Sequence, residues 1–144
     1  MQVKRKVLAY ITTGIDLELK LLIFEQRNVP EAGWQVPGGT IEKDELLIDA
    51  LYREIEEETG IKREHLELNG KVNKRNYFPE NREDVVHERT IFHLTYTGEE
   101  KPEWDNMVEG DGVDRGMIFH CKWIPVKDLP RLAAEQDTEI DFIT

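Results

Sequence analysis

The chain has 144 residues, 39% of them hydrophobic and 34% charged, and carries a formal net charge of −11 at pH 7. That length supports one domain with a sizeable core, and no apolar run approaches the roughly 20 residues that a spanning helix needs. An acidic surplus argues against binding long nucleic acid through a broad basic face.

The acidity is local. Residues 39–61 carry eight acids and two bases, and residues 98–114 carry seven acids and one base. Cys121 is the single cysteine, so no internal disulfide forms, which fits a reducing cytoplasm. The first residues, MQVKRK, lead into no long apolar h-region, so no signal peptide is expected.

Residues 3–13 read as a strand whose buried run is 7–11, followed by a turn at 14–16. Residues 17–24 alternate at first, with Leu17, Leu19 and Leu21 against Glu18 and Lys20, and then become wholly apolar. That pattern is a strand passing from half-buried to central, and the pair reads as a hairpin. Residues 26–33 form a loop ahead of Trp34, and Pro37-Gly38 suits a type II turn.

Asp44 reads as a helix N-cap, Glu45 places negative charge in the first turn, and nothing in 45–59 breaks a helix. Gly60 suits the left-handed C′ position, with Ile61 folding back. At about 100° per residue, Leu47, Ala50, Leu51 and Ile55 form an apolar stripe. Glu54 and Glu58 fall inside that stripe, Glu57 on its flank, and Asp49 and Glu56 face water. Like charges at this spacing repel, and partial burial makes the repulsion worse. A hard divalent cation such as Mg²⁺ turns it into ligation, keeps several waters and accepts phosphate oxygens. The alternative, a solvated acidic face, fits Glu56 but not Glu54 and Glu58, which share a face with Leu47 and Leu51.

Residues 66–78 are extended, with a turn signal at Asn69-Gly70. Strict alternation puts Lys71 and Arg75 on one side and Lys74 on the other. Residues 79–84 are a polar loop. Residues 85–97 form a strand with Ile91, His93 and Thr95 opposite Phe92, Leu94 and Tyr96. Residues 98–116 read as a long acidic loop containing Trp104, 117–123 as a strand, and 125–136 as a second helix interrupted at Pro130. The tail, with Ile140, Phe142 and Ile143, is apolar enough to dock. Strands, helix, strands, helix imply an α/β or α+β domain with a mixed sheet. No repeat or low-complexity tract occurs. The four histidines lack zinc spacing, and neither a P-loop nor an EF-hand pattern is present.

The stretch GTIEKDELLIDALYREIEEETGI (39–61) resembles the Nudix box, G-x5-E-x7-R-E-U-x-E-E-x-G-U, where U is a bulky aliphatic residue. Gly39 is followed after five residues by Glu45, and after seven more by Arg53-Glu54-Ile55-Glu56-Glu57-Glu58-Thr59-Gly60-Ile61; every fixed position matches. Trp34-Gln35-Val36-Pro37-Gly38 resembles the usual approach to such a box.

The resemblance implies a single Nudix domain over 1–144, an α/β/α sandwich with a mixed β-sheet. It implies hydrolysis of a pyrophosphate bond in a nucleoside diphosphate linked to another moiety. Mg²⁺, with Mn²⁺ as the alternative, would be held by Glu54, Glu57 and Glu58 and by the Gly39 carbonyl. Glu54, Glu57 and Arg53 make the catalytic set, with Glu54 the first choice for handling the water. Arg53 holds the glutamates in place, and Glu45 serves the fold of the box. A further carboxylate is expected near the Trp-Ile-Pro segment, but Lys122 precedes Trp123 here, leaving Glu103, Asp105, Glu109 and Asp111 as substitutes. Lys71 and Arg75 are candidates for the substrate's phosphates, and Trp34, Tyr77 and Trp104 for its base. The implied partner is a small nucleotide derivative, with ADP-ribose, dinucleoside polyphosphates, nucleotide sugars and damaged (d)NTPs all open. No membrane or long nucleic acid is expected, and a homodimer is compatible. Two rivals stand beside this reading: a nucleotide-sensing domain that does not cleave, and an RNA 5′-pyrophosphohydrolase.

Overall fold

A computed structural model describes residues 1–80, 82–109 and 115–144. Within the described residues seven strands form one sheet: β1 (Gln2–Thr13), β2 (Lys20–Gln26), β3 (Gly38–Thr40), β4 (Leu66–Tyr77), β5 (Val85–Tyr96), β6 (Glu103–Met107) and β7 (Ile118–Pro125). The order is β4-β5-β1-β2-β7-β6, with β3 also paired to β1. β1 and β5 run parallel and the other pairs antiparallel, so the sheet is mixed. The helix α1 (Leu47–Thr59) covers one face.

The apolar runs in β1 and β2 follow from burial on both faces. Val7, Ala9, Ile11, Leu22 and Phe24 face α1, while Leu8, Tyr10, Leu21 and Ile23 face the opposite layer. The β1–β2 hairpin pairs only near its turn, at Thr12↔Leu21 and Thr13↔Lys20. Beyond that the two strands part, and the segment leading into the box enters between them. Phe24 bridges Gln35, and Lys6, Val7 and Leu8 pair with Thr40, Gly39 and Gly38. This wedge sets Gly39 against the underside of α1.

The structure departs from the sequence reading at five places. β2 begins at Lys20, because 16–18 form a 3-10 turn that leaves Leu17 exposed. The helix begins at Leu47, and Asp44 does not cap it: Asp44 has φ 64°, and no side chain bonds the helix start. Glu45 is held off the helix by a long-range partner, Arg53, described below. In β4 the register shifts between Leu68 and Gly70 and again between Lys71 and Asn73. A bulge of this kind inverts the alternation. Lys71 lies opposite Phe92 and Lys74 opposite Thr90, on the α1 side, while Arg75 lies opposite Arg89 on the other. The acidic stretch after β5 is not all loop, since 103–107 form the edge strand β6. Finally, 125–136 form no α-helix. Pro130 lacks an N–H and disfavours helical geometry in its predecessor, and the segment breaks into 3-10 turns at Val126–Asp128 and Ala133–Glu135. The layer opposite α1 is therefore built from these turns and from Ile140–Ile143, which does dock.

A buried polar network fixes that layer. The Tyr10 hydroxyl donates to the Gln136 carbonyl at 2.6 Å and accepts from the Glu139 N–H at 3.3 Å, while Gln136 Oε1 accepts from the Val36 N–H at 2.8 Å. Burial pushes the Tyr10 hydroxyl up to about 12, so it stays a donor. The Glu139 carboxylate, itself buried, accepts from Asn73 Nδ2 at 3.1 Å and Arg75 Nη1 at 3.0 Å. Burial raises the Glu139 carboxyl, but these hydrogen bonds and the Arg75 charge outweigh it and hold the group below its usual range. A depressed carboxyl stabilises the fold above its unfolded pKa of about 4.3 and loses that contribution as pH falls through the folded value. Glu139→Gln is thus expected to lower stability by about 1–2 kcal/mol at neutral pH, roughly 3–6 °C in Tm, after discounting for the half-exposed Arg75. The gap from the parent protein should close below about pH 4. Thermal melts of both proteins from pH 7 to pH 3 check this, and a gap constant across that range would contradict it.

Candidate active site

The core-facing stripe of α1 is apolar in its first half and carboxylate in its second. Ala50, Leu51 and Ile55 are buried in the core, and Glu58 is buried with them. Asp49 and Glu56 face water. Gly60 takes the left-handed conformation, with φ 80°, and its N–H donates to the Glu56 carbonyl.

Arg53 organises the carboxylates around it. Its Nε donates to Glu45 Oε2 at 2.7 Å and its Nη2 to Glu45 Oε1 at 2.9 Å, a bidentate pair. Nη1 donates to Glu54 Oε1 at 2.9 Å and reaches Glu57 Oε2 at 3.4 Å, while Nη2 also meets the Thr40 carbonyl at 3.1 Å. The Arg53 hydrogen bonds hold the Glu45 carboxyl below its usual range. Glu45 also accepts from the Glu42 N–H at 2.9 Å, which ties the lead-in loop to the helix.

Glu54, Glu57 and Glu58 line one cavity of about 320 Å³, together with Gly39 and Arg53. Glu58 Oε1 accepts from the Gly38 N–H at 2.8 Å. Burial pushes the Glu54 carboxyl up to about 7, with the charge of Glu57 adding to the shift and Arg53 and Lys6 opposing it. A carboxylate so desolvated gains from a positive charge brought beside it. Gly39 pairs with Val7 and lies directly under Glu54, and a Cβ there would overlap the carboxylate. The glycine therefore leaves open the space where the backbone and the carboxylate meet. Among the described residues, no three His, Cys, Asp or Glu side chains already form a ready-made metal-ligand cluster. Glu54 and Glu57 are turned onto Arg53, and Glu58 onto the Gly38 N–H. The hard-oxygen donor set, the raised Glu54 carboxyl and the bare Gly39 fit a divalent cation, which would take over partners these carboxylates now hold.

Of the other candidates among the described residues, all but one lie apart from this pocket. Glu109, just beyond β6, lines the cavity beside Val108. Asp111 lies outside the described residues. Asp105 pairs with Arg27 at 3.0 Å and His120 at 2.8 Å on the sheet edge, and Glu103 lies 3.9 Å from His120. Trp34 packs on the layer opposite α1, with the Lys122 ammonium 4.3 Å above its ring. Arg75 is paired with Glu139, and Lys71 is solvent-exposed on β4. Trp104 lines a neighbouring cavity of about 510 Å³ at the end of α1 and packs near Trp123. Two charged pocket residues escaped the sequence reading. Glu42 and Lys6 reach the cavity only because β3 pairs with β1, and Lys6 Nζ donates to Thr40 Oγ1 at 2.6 Å. No local pattern marks either one.

Comparison with known proteins bears on the family and the fold. The family model of the NUDIX domain matches residues 4–142. The chain is 31% identical over 111 residues to an RNA pyrophosphohydrolase of Xanthomonas campestris pv. campestris, a match covering 71% of this chain and 52% of that protein. It is 32% identical over 111 residues to an RNA pyrophosphohydrolase of Stenotrophomonas maltophilia, with the same shares covered. The chain thus spans about half the length of these relatives. Among solved structures, a C. elegans Ap4A hydrolase superposes with a TM-score of 0.69 at 17% identity, covering 99% of this chain and 96% of that one. A MutT NUDIX hydrolase from Burkholderia pseudomallei gives 0.67 at 21%, covering all of both chains. No helix among the described residues is long and apolar enough to cross a membrane. A family match across nearly the whole chain and a fold shared with solved members lead to one assignment: the chain belongs to the Nudix family.

Proposed function

We propose that this chain hydrolyses a pyrophosphate bond in a nucleotide derivative, using a divalent cation held by Glu54, Glu57 and Glu58 with the Gly39 carbonyl. The observation that carries the reading is the half-buried Glu54 carboxylate set against the bare Gly39, in a pocket shared with Glu57 and Glu58. Mg²⁺ is the ion of choice, and Mn²⁺ suits the same donors. Such an ion supplies charge neutralisation at the pyrophosphate and acidifies water. Arg53 holds Glu54 and Glu57 side by side, and Glu54 would be the residue to take the water's proton. A single, buried thiol suits a cytoplasmic setting.

An RNA 5′ end is the second substrate to consider, and the named relatives are what favours it. Arg75, Arg89 and Lys6 lie in register across β4, β5 and β1. This row of cations ends at Lys6, which lines the carboxylate pocket. Arg75 is held by Glu139, and Arg89 is buried against the Ala134 carbonyl and the Tyr77 ring, so the row offers no open path for a chain of phosphates.

The test is product analysis with Mg²⁺ on ADP-ribose, a dinucleoside tetraphosphate, a nucleotide sugar, a dNTP and a 5′-triphosphorylated oligoribonucleotide. Cleavage between phosphorus atoms, lost by at least about three orders of magnitude on chelation, is the expected result. Tight binding without products would make the domain a sensor, and turnover indifferent to chelator would remove the cation from the chemistry.

A further inference from the structure

The last turn of a helix leaves carbonyls without intrahelical partners and carries the negative end of the helix dipole. Anions are disfavoured there, yet Glu57 and Glu58 both sit in that turn, and it contains no basic residue. Side chains from the neighbouring sheet edge meet three successive carbonyls. Asn106 Nδ2 donates to the Glu57 carbonyl at 2.9 Å, and Trp104 Nε1 donates to the Thr59 carbonyl at 2.8 Å. Between them, Cys121 Sγ lies 3.9 Å from the Glu58 carbonyl. A carbonyl only accepts, so the orientation of the Asn106 amide is fixed. Its Oδ1 faces Gly60, where a Cβ would lie 3.0 Å away.

We propose that Trp104 and Asn106 are positioning residues, an edge-strand clamp that fixes the last turn of α1 and with it the carboxylates of Glu57 and Glu58 for cation binding. The inference rests on the cation reading above. β6 has a second link to the site, because the chain continues from it into Val108 and Glu109 on the cavity wall. The two donors do for the helix end what a lysine or arginine in the last turn would do, without adding a cation that would compete for the carboxylates. They also explain why this strand, at the edge of the sheet and half exposed, carries a tryptophan and an asparagine turned toward the helix. Among the described residues lining the carboxylate cavity neither Trp104 nor Asn106 occurs, so their influence passes through the backbone of residues 57–59.

The test uses Trp104→Phe, which keeps a packing ring and removes the N–H, and Asn106→Ala. Binding of Mn²⁺ alone is read from the free-ion paramagnetic resonance signal in the absence of substrate. Each substitution should weaken Mn²⁺ by about tenfold, in the range seen when ligand-supporting contacts are lost. Turnover should return to within about threefold of the parent rate at saturating cation, and amide exchange at 58–60 should quicken. A purely structural role would lower Tm without moving cation affinity. Trp104→Phe keeps the ring against Trp123, so the test stays decisive even where Asn106→Ala folds poorly. Unchanged Mn²⁺ affinity in folded variants overturns the clamp alone. A parent protein that binds no Mn²⁺ overturns the cation reading, and the clamp with it.

Discussion

Glu58→Gln and Glu57→Gln should each cut turnover by about 10²–10³-fold while leaving Tm unchanged or slightly raised. The size follows from the several kcal/mol that cation ligation contributes to transition-state charge, at 1.36 kcal/mol per decade. The direction of the stability change follows from the pocket. Glu54, Glu57 and Glu58 share a cavity of about 320 Å³ with Glu42 and Glu109, and the Glu54 carboxyl is already driven up to about 7 by burial. Removing one negative charge relieves the others. The Gly38 N–H loses nothing in Glu58→Gln, since a glutamine carbonyl accepts the same 2.8 Å hydrogen bond. Glu57 loses only a 3.4 Å contact to Arg53, which keeps its bidentate hold on Glu45. Steady-state rates at saturating Mg²⁺, beside thermal melts in chelator, check both halves. Native rates in both variants would remove these residues from the site, and a large loss of Tm would show that they serve the fold instead.

The contrast between activity and stability reflects what was legible in the sequence. Leu47, Ala50, Leu51 and Ile55 declare a helix face by their spacing, and Glu54 and Glu58 break its polarity at positions local phase can identify. The central strands are legible for a similar reason, since Leu21–Phe24 are buried on both faces and read as one apolar run. What failed depended on partners far along the chain. Asp44 and Glu45 carry good N-terminal chemistry for a helix, yet Glu45 is drawn to Arg53 and the helix starts two residues later. Arg75 looks like a phosphate ligand until Glu139, 64 residues on, claims it. The bulge at Lys71 inverts a face that alternation assigns, and nothing in one strand's sequence reveals a bulge. Residues 125–136 have helical composition, but the segment's hydrogen bonds go to the sheet side, as with the Ala133 N–H to the Trp34 carbonyl. Among the described acidic candidates after β5, the path of the chain beyond β6 brings Glu109 to the cavity.

Gly39→Ala separates site from fold most sharply, and it should lose about 10²-fold or more in turnover with under about 1 kcal/mol in stability. Gly39 does not have a left-handed backbone, so alanine meets no conformational penalty there. The added Cβ would instead overlap the Glu54 carboxylate carbon and both its oxygens. Those atoms are the far end of a flexible side chain, so the clash is resolved by moving the carboxylate and the fold survives. A displacement of this size at a reacting group costs on the order of 10²-fold in rate. Gly38, one residue earlier, has the opposite character. A Cβ at Gly38 would overlap the Val7 carbonyl oxygen and Leu8, which are backbone and core, so Gly38→Ala should damage the fold itself. The pair forms an internal control, with the loss at 39 appearing in rate and Mn²⁺ affinity and the loss at 38 in Tm. If Gly39→Ala turned over at the parent rate, the space beneath Glu54 would have no part in the chemistry. Glu54 would then have to act from a different position than the one this structure gives it.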